Sequence, residues 1–408
     1  EVRFLRAYFY FELIKRYRNI PFVLDVLAQN EANGVNPESY EKIAKFIVDE
    51  CSDLAQILPV NYDNFSTKEK GRVTRAAAMA LKSRVTLYMA SPLFSEDSED
   101  KWKQAAEAAY DIIKQKTDLG LDLVPYPQIF NDVNNQKAEV ILYRPTGESG
   151  DFEKANFPIG VEGGKTSTCP TQNLMEAYDM KDGTPFVWNN QSDPYDNRDP
   201  RMKYTIVCNE MKWPVDPVEI WEGGTNGLPL QNATTTGYYL KKYVNNTISF
   251  EAGSTVTKKQ HNWVLFRYGE ILLNYAEAMI NAFHDPNYKD AVYNMSAREA
   301  VNQIRGRTNI SLPGFPSDIT EKDFVKRLKN ERRVELAFEG HRFWDVRRWK
   351  ELGQTANIYG VKITKNNEVI SYEKFLLETR AVTDNMYFYP IPNTERFKNP
   401  NLGQNLGW

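Results

Sequence analysis

Imidazole chemistry has little to work with in this chain. The three histidines, His261, His284 and His341, lie far apart, and none has a second histidine four residues away. The His-Glu-x-x-His zinc pattern is therefore absent. His341 sits in an arginine-rich stretch and reads as a structural hydrogen-bonding residue. No Gly-x-Ser-x-Gly nucleophile elbow occurs, and Gly163-Gly164 and Gly223-Gly224 lack the context of a phosphate-cradling loop. The 54 acidic residues offer many carboxylate pairs for glycoside hydrolysis, but no spacing singles one out. Asp193, Asp196, Asn197 and Asp199 form an oxygen cluster of a kind calcium accepts, without EF-hand spacing or its glycine. Asp199 stands between Arg198 and Pro200-Arg201, which suits a turn and an ion pair. The expectation is no catalytic residue and no cofactor, with calcium as the one ion the cluster leaves open.

The chemistry that the residue types do support is recognition of sugars. A sugar ring has an apolar face that lies on Trp or Tyr, while amide, carboxylate and guanidinium groups bind its hydroxyls. Aromatic residues make up 13% of the chain. Trp188, Tyr195, Trp213 and Trp221 fall in polar, non-periodic sequence amid Asn189, Asn190, Gln191, Asn209 and Asn226. Any one of them reads as readily as a core residue. As a set they are the candidates for glycan stacking. Trp102, Trp344 and Trp349 lie on helical patterns and are assigned to the core, and Trp408 closes the chain as a packed residue.

The elements that must position these residues follow from periodicity. Apolar residues recur near 3.6 over 1–17, 38–58, 72–90, 100–116, 265–282, 289–306 and 320–339, with a short helix at 342–352. Alanines at close-approach positions and prolines at the ends give these segments the look of tetratricopeptide-type hairpins, without a strict repeat. Between 117 and 262, Gly, Pro, Asn, Thr and Asp cluster around short Tyr/Val/Ile runs, which predicts loops and short strands. The tail from 353 to 408 reads as loop-rich too. The fold class is mainly α: one domain, with 1–116 and 263–352 as a helical scaffold and a loop-rich insert carrying short β-strands. Loops on a rigid scaffold are where binding surfaces usually lie.

Composition narrows the partners. The net charge is −3, from 51 basic and 54 acidic residues, so no basic excess points to nucleic acid. The charged run 330–349 alternates in sign and is assigned to the fold, as opposite charges at three- and four-residue spacing that stabilise the helix and its neighbours. Cys51, Cys169 and Cys208 are too few and too odd for a disulfide framework. No stretch of apolar residues is long enough to span a bilayer as a helix. The chain opens inside an amphipathic helix without Met or a cap, so upstream sequence is expected.

Several segments together resemble one family. They are Glu1–Phe11 with Leu13, Gly71–Phe94 ending in Ser91-Pro92-Leu93-Phe94, Tyr178–Gly183, Arg198–Arg201, Phe266–Ala278, Asn330–Trp349, Tyr389–Pro392 and Asn399–Leu402 with Gln404-Asn405 and Gly407-Trp408. In order and over nearly the whole chain, they resemble the SusD/RagB family. The resemblance implies a non-enzymatic, lipid-anchored protein on the outer membrane surface of the Bacteroidota, which lids a SusC-like TonB-dependent transporter. It implies a glycan ligand, or a peptide or other nutrient in some members. A hydrolase on the same scaffold is the remaining alternative. The lipid anchor is implied outside this chain.

Overall fold

The structure is a computed structural model that describes residues 1–28, 30–63, 71–96, 98–189, 193–251 and 257–408. Its first half begins with four long helices: α1 (Val2–Tyr17), α2 (Tyr40–Ile57), α3 (Arg75–Ala90) and α4 (Glu99–Lys114). Short helices α5 (Asp151–Asn156), α6 (Gln172–Met175) and α7 (Pro200–Thr205) follow within the insert. The scaffold resumes with α8 (Tyr268–Phe283), α9 (Ala297–Arg305), α10 (Glu321–Glu335) and α11 (Arg342–Arg348), and α12 (Asn393–Lys398) lies near the end. The strands are β1 (Ile20–Pro21), β2 (Pro37–Glu38), β3 (Val140–Arg144), β4 (Glu148–Ser149), β5 (Ile206–Val207), β6 (Tyr239–Leu240), β7 (Lys259–Gln260), β8 (Trp263–Arg267), β9 (Asn357–Asn366) and β10 (Val369–Thr379). They pair antiparallel in two-stranded sheets: β1–β2, β3–β8, β4–β7, β5–β6 and β9–β10.

Helix starts are written in side-chain oxygens. Ser39, Thr74, Ser98 and Thr320 each accept a hydrogen bond from the backbone N–H three residues on, and Ser296 with Glu299 forms a complete capping box. That box explains why α9 starts at Ala297, later than the 289 expected from periodicity. Likewise 265–267 belong to β8 rather than to the following helix.

Each long helix packs on the next. α2 lies against α1 and α3, α4 against α3 and α8, and α8 against α9 and α10. The contact of α4 with α8 joins the two helical stretches into one stack, so the insert leaves and re-enters between neighbours. Ala76, Ala77, Ala78 and Ala80 of α3 and Ala105, Ala106 and Ala109 of α4 are buried at these interfaces, where their small size lets backbones approach.

The insert has its own core, including Phe157, Met175, Tyr178, Met202 and Tyr238. The tail departs from its loop-rich reading: β9 and β10 form the longest strands present, and Val361, Ile363 and Tyr372 pack into the insert's core. The hairpin is seated at Gly237, whose φ is +84° and where a Cβ would stand 2.5 Å from both Cγ1 and the carbonyl oxygen of Val361. The Val361 N–H donates to Thr236 O at 3.0 Å, so that backbone cannot retreat without losing a bond. Gly237→Ala should therefore cost about 1–3 kcal/mol. An unchanged melting temperature would show that the hairpin is not held there.

The charged run 330–349 is structural, and it acts chiefly through its neighbours. Glu331, Glu335 and Glu339 recur every four residues along α10 and the turn after it, on the buried side. Their partners come from other elements rather than from the same helix. Arg201 Nη1 reaches Glu331 at 2.5 Å and Glu335 at 2.9 Å; Arg267 and Arg307 each reach Glu335 at 2.8 Å. Glu339 takes Arg267 at 2.7 Å and Lys242 at 2.8 Å, and Glu139 takes Arg267 at 2.7 Å and Arg307 at 3.0 Å. Arg332 and Arg348 meet at Asp345, and Arg348 also binds Glu277 of α8. The network fastens the insert to the scaffold. His341 makes no side-chain hydrogen bond among the described residues, contrary to its sequence reading; it serves as the backbone N-cap of α11. Burial holds its imidazole well below the ordinary pKa, with Arg84 and Arg332 adding to the shift.

Candidate functional site

Trp213 stands on a tight turn of the insert. Its N–H donates to Asp216 O at 2.8 Å, and the Val218 N–H donates to Met211 O at 3.0 Å, which folds 211–218 back on itself. The peptide Trp213–Pro214 is cis. The turn places the indole at the wall between two adjoining clefts of about 370 and 640 Å³, which also share Asn246 and Thr247. In the smaller cleft it is joined by Tyr204, Tyr243 and Phe130, with Asn131, Asp132 and Asn245 as polar groups. In the larger it faces Phe157, Phe250, Asn226 and Glu251. Trp213 is only 7% exposed, and the Lys241 ammonium lies 4.9 Å from its ring centre. It therefore offers a margin of its ring rather than a whole face. Burial lowers the Lys241 pKa.

Tyr243 of the smaller cleft is backed by a ring from another element. Tyr243 packs edge-on to Phe130 at 4.9 Å and stacks on Trp263 at 5.2 Å with 26° between planes. Trp263, on β8, is 39% exposed. His261, beside it on the same stretch, pairs with Glu153 at 3.1 Å, and Glu153 Oε1 accepts the Asn245 N–H at 2.9 Å. These bonds fix the loop 243–247 that carries the amide groups. A sugar-sized ligand would meet flat rings and amides together here.

The other three candidates lie elsewhere. Tyr195 is 7% exposed, edge-on to Tyr238 at 6.1 Å and Tyr372 at 5.3 Å, so its ring is core and only its margin borders a separate cleft with Asn209 and Lys203. Trp221 is half-buried on the insert's core, with Lys365 Nζ 4.3 Å from its ring centre. Trp188 is half-buried, edge-on to Phe186 at 6.4 Å. Asn190 and Gln191 lie outside the described residues. The four do not converge on one platform.

The oxygen cluster is dispersed as well. Asp193 accepts the Tyr195 N–H, Asp196 accepts Asn197 Nδ2, and Asp199 is buried against Arg201. Among the described residues no group of three or more His, Cys, Asp or Glu is placed to hold a metal ion, and no helix is long and apolar enough to cross a membrane.

The model of the SusD family matches residues 129–408. The chain belongs to the SusD family. It is 23% identical over 415 residues to SusD-like protein P2 of Formosa agariphila, covering 98% of this chain and 72% of that one. Its fold is similar to a SusD-like protein from Bacteroides fragilis, with a TM-score of 0.82, 27% identity, and coverage of 100% of this chain and 79% of that one. It is also similar to a SusD-like carbohydrate binding protein from the same species, with a TM-score of 0.81, 27% identity, and coverage of 99% and 79%.

The SusD signposts are scaffold parts here. Met180 bridges Arg198, the Asp199 N–H donates to Asp179 O at 2.8 Å, and Arg201 runs into the Glu331–Glu335 pair. Motifs that hold the fold cannot point to its ligand. Tyr204 and Tyr243, which line the smaller cleft, and Trp263, which stacks on Tyr243, were not among the candidates read from the sequence. Tyr243 just before Asn245-Asn246 was a local signal; the Tyr243–Trp263 stack joins residues far apart in sequence and had none.

Proposed function

We propose that this SusD-family chain binds oligosaccharide or polysaccharide at the cell surface without acting on it, for import through a SusC-like TonB-dependent outer-membrane transporter. A lipid anchor outside this chain would hold it to the outer membrane. The reading calls for no metal or other cofactor. The relative described as carbohydrate binding supports the ligand class. The observation that carries the reading is the grouping of Trp213 and Tyr243 with Asn131, Asn245 and Asn246 around one cleft, with the exposed Trp263 stacked on Tyr243 beside it. Flat apolar faces beside amides suit sugar rings and their hydroxyls.

Affinity electrophoresis against a panel of soluble polysaccharides tests it. Trp213→Ala and the safer, exposed Trp263→Ala should each weaken retardation about tenfold or more, as removal of a central aromatic anchor does. Trp188→Ala and Trp221→Ala should leave it unchanged. Retardation that survives in both Trp213→Ala and Trp263→Ala would move the site away from this cleft. Retardation by no polysaccharide, with capture of mixed peptides instead, would replace the glycan reading by a peptide one. Turnover of a glycan, lost on changing one Asp or Glu, would make the protein a hydrolase.

A further inference from the structure

The outward side of α10 carries Lys322, Lys326, Lys329 and Arg333, spaced so that all four share one face of the helix. The opposite face is the one buried through Phe324, Leu328, Glu331 and Glu335. Over the basic face stand Phe186, Glu176 and Arg342, which close a pocket of about 500 Å³. It shares no residue with either Trp213 cleft.

The charges in this pocket do not balance. Its carboxylates are already taken: Glu176 binds Lys374 at 2.8 Å, Asp179 binds Arg305 at 3.1 Å, and Glu351 binds Lys329 at 2.5 Å. Lys329 and Arg327 share in these pairs, but two guanidinia of the lining, Arg342 and Arg333, do not. Arg342 donates only to the neutral Gln354 Oε1, at 2.7 Å. Arg333 is partly buried, yet its side chain has no hydrogen bond and no ion pair among the described residues. Burial, and then the neighbouring Arg342, lower its pKa to about 10, so it stays charged at neutral pH. Several buried guanidinia in this chain meet carboxylates, as Arg84 meets Glu270 and Arg201 meets Asp199, and Arg198, which meets none, donates to the carbonyls of Met175, Tyr178 and Pro194 instead. Two neighbouring guanidinia with no free acid repel each other, and a bound oxyanion would relieve that. The planar fork of Arg fits both carboxylate and sulfate. Phe186 adds an apolar wall, its ring held by Arg198 at 3.6 Å. A cavity of this size suits one or two sugar units.

We propose that this pocket binds the carboxylate or sulfate group of an acidic saccharide, gripped by Arg333 and Arg342 with Lys326 at the rim. The proposal rests on the saccharide reading above and narrows it to anionic glycans.

Calorimetric titration with trigalacturonate, a carrageenan tetrasaccharide and cellotriose tests it, on the wild type, Arg333→Gln, Arg342→Gln and the double variant Lys322→Gln/Lys326→Gln. Melting temperatures would confirm that the variants fold. Expected is binding of one anionic probe, weakened by salt and about tenfold or more by Arg333→Gln, with cellotriose unaffected by that change. Whichever anionic probe binds names the oxyanion. Anionic binding that all three variants retain overturns the proposal, as does anionic binding lost in Trp213→Ala alone. A protein that binds neutral glycan but neither anionic probe overturns it too, and leaves the saccharide reading standing. Binding of no saccharide of either charge removes both.

Discussion

Glu335→Ala should lower the unfolding free energy by about 3–5 kcal/mol, the usual cost of removing one partner from a buried ion pair. Glu335 is fully buried, and its two oxygens receive Arg267, Arg307 and Arg201. Truncation leaves those guanidinia in place without their shared anion. Arg201 keeps Asp199 and Glu331, and Arg267 keeps Glu139 and Glu339, so part of the charge stays compensated. Arg307 keeps only Glu139 among its carboxylates. An exposed pair such as Lys45–Asp49 is the contrast: Asp49→Ala should change stability by less than about 0.5 kcal/mol. Urea unfolding measures both. A loss below about 1 kcal/mol for Glu335→Ala would mean that the network is not what joins insert to scaffold. The effect should reach the site as well. Lys242, paired with Glu339, lies between Lys241 and Tyr243, and all three line the smaller Trp213 cleft. Loosening the network loosens that wall.

What could be read in advance follows from how local each feature is. A helix repeats its apolar residues within a few positions and begins at a capping oxygen, so α1 to α4 and α8 were legible within a few residues. The hairpin β9–β10 was not. Its buried positions, Ile358, Gly360, Val361 and Ile363, break simple alternation, and its turn at Asn367 and Glu368 lacks the Asn-Gly pair that announces a hairpin. The charged run was assigned to the fold, but its partners Arg201, Lys242, Arg267 and Glu277 sit far along the chain, beyond any helical spacing. The aromatic candidates show the same limit. Trp188, Tyr195, Trp213 and Trp221 share a polar local sequence, and their surroundings differ because the tertiary fold decides which ring meets a cleft. Trp263 and Tyr243 become one surface only when β8 pairs with β3 beside the loop that holds Tyr243.

Acid should unfold the protein steeply. Burial alone would raise the pKa values of Glu277, Glu331, Glu335 and Glu339. The adjacent cations outweigh burial and hold all four below the ordinary carboxylate range: Arg348 for Glu277, Arg201 and Arg305 for Glu331, Arg307, Arg267 and Arg201 for Glu335, and Arg267 and Lys242 for Glu339. The sign follows from linkage. A carboxyl whose folded pKa is depressed contributes stability above its unfolded pKa of about 4.3 and loses it as pH falls toward the folded value. In that window the unfolded chain takes up a proton that the native chain refuses, which costs at most about 1.4 kcal/mol per pH unit for each group. The four groups act in the same direction, so their contributions to the fall add. Asp179 acts the other way, because burial raises its pKa, and gives back part of that slope. His341, kept neutral, adds a gentler decline that starts near pH ~6.5, where the unfolded imidazole begins to charge. Urea unfolding at a series of pH values should therefore show a shallow fall and then a steep one below about pH 4.5. A flat profile through that range would contradict it. The two predictions also check each other: Glu335→Ala removes one of the four groups, so the variant should be less stable at neutral pH and yet fall less steeply in acid.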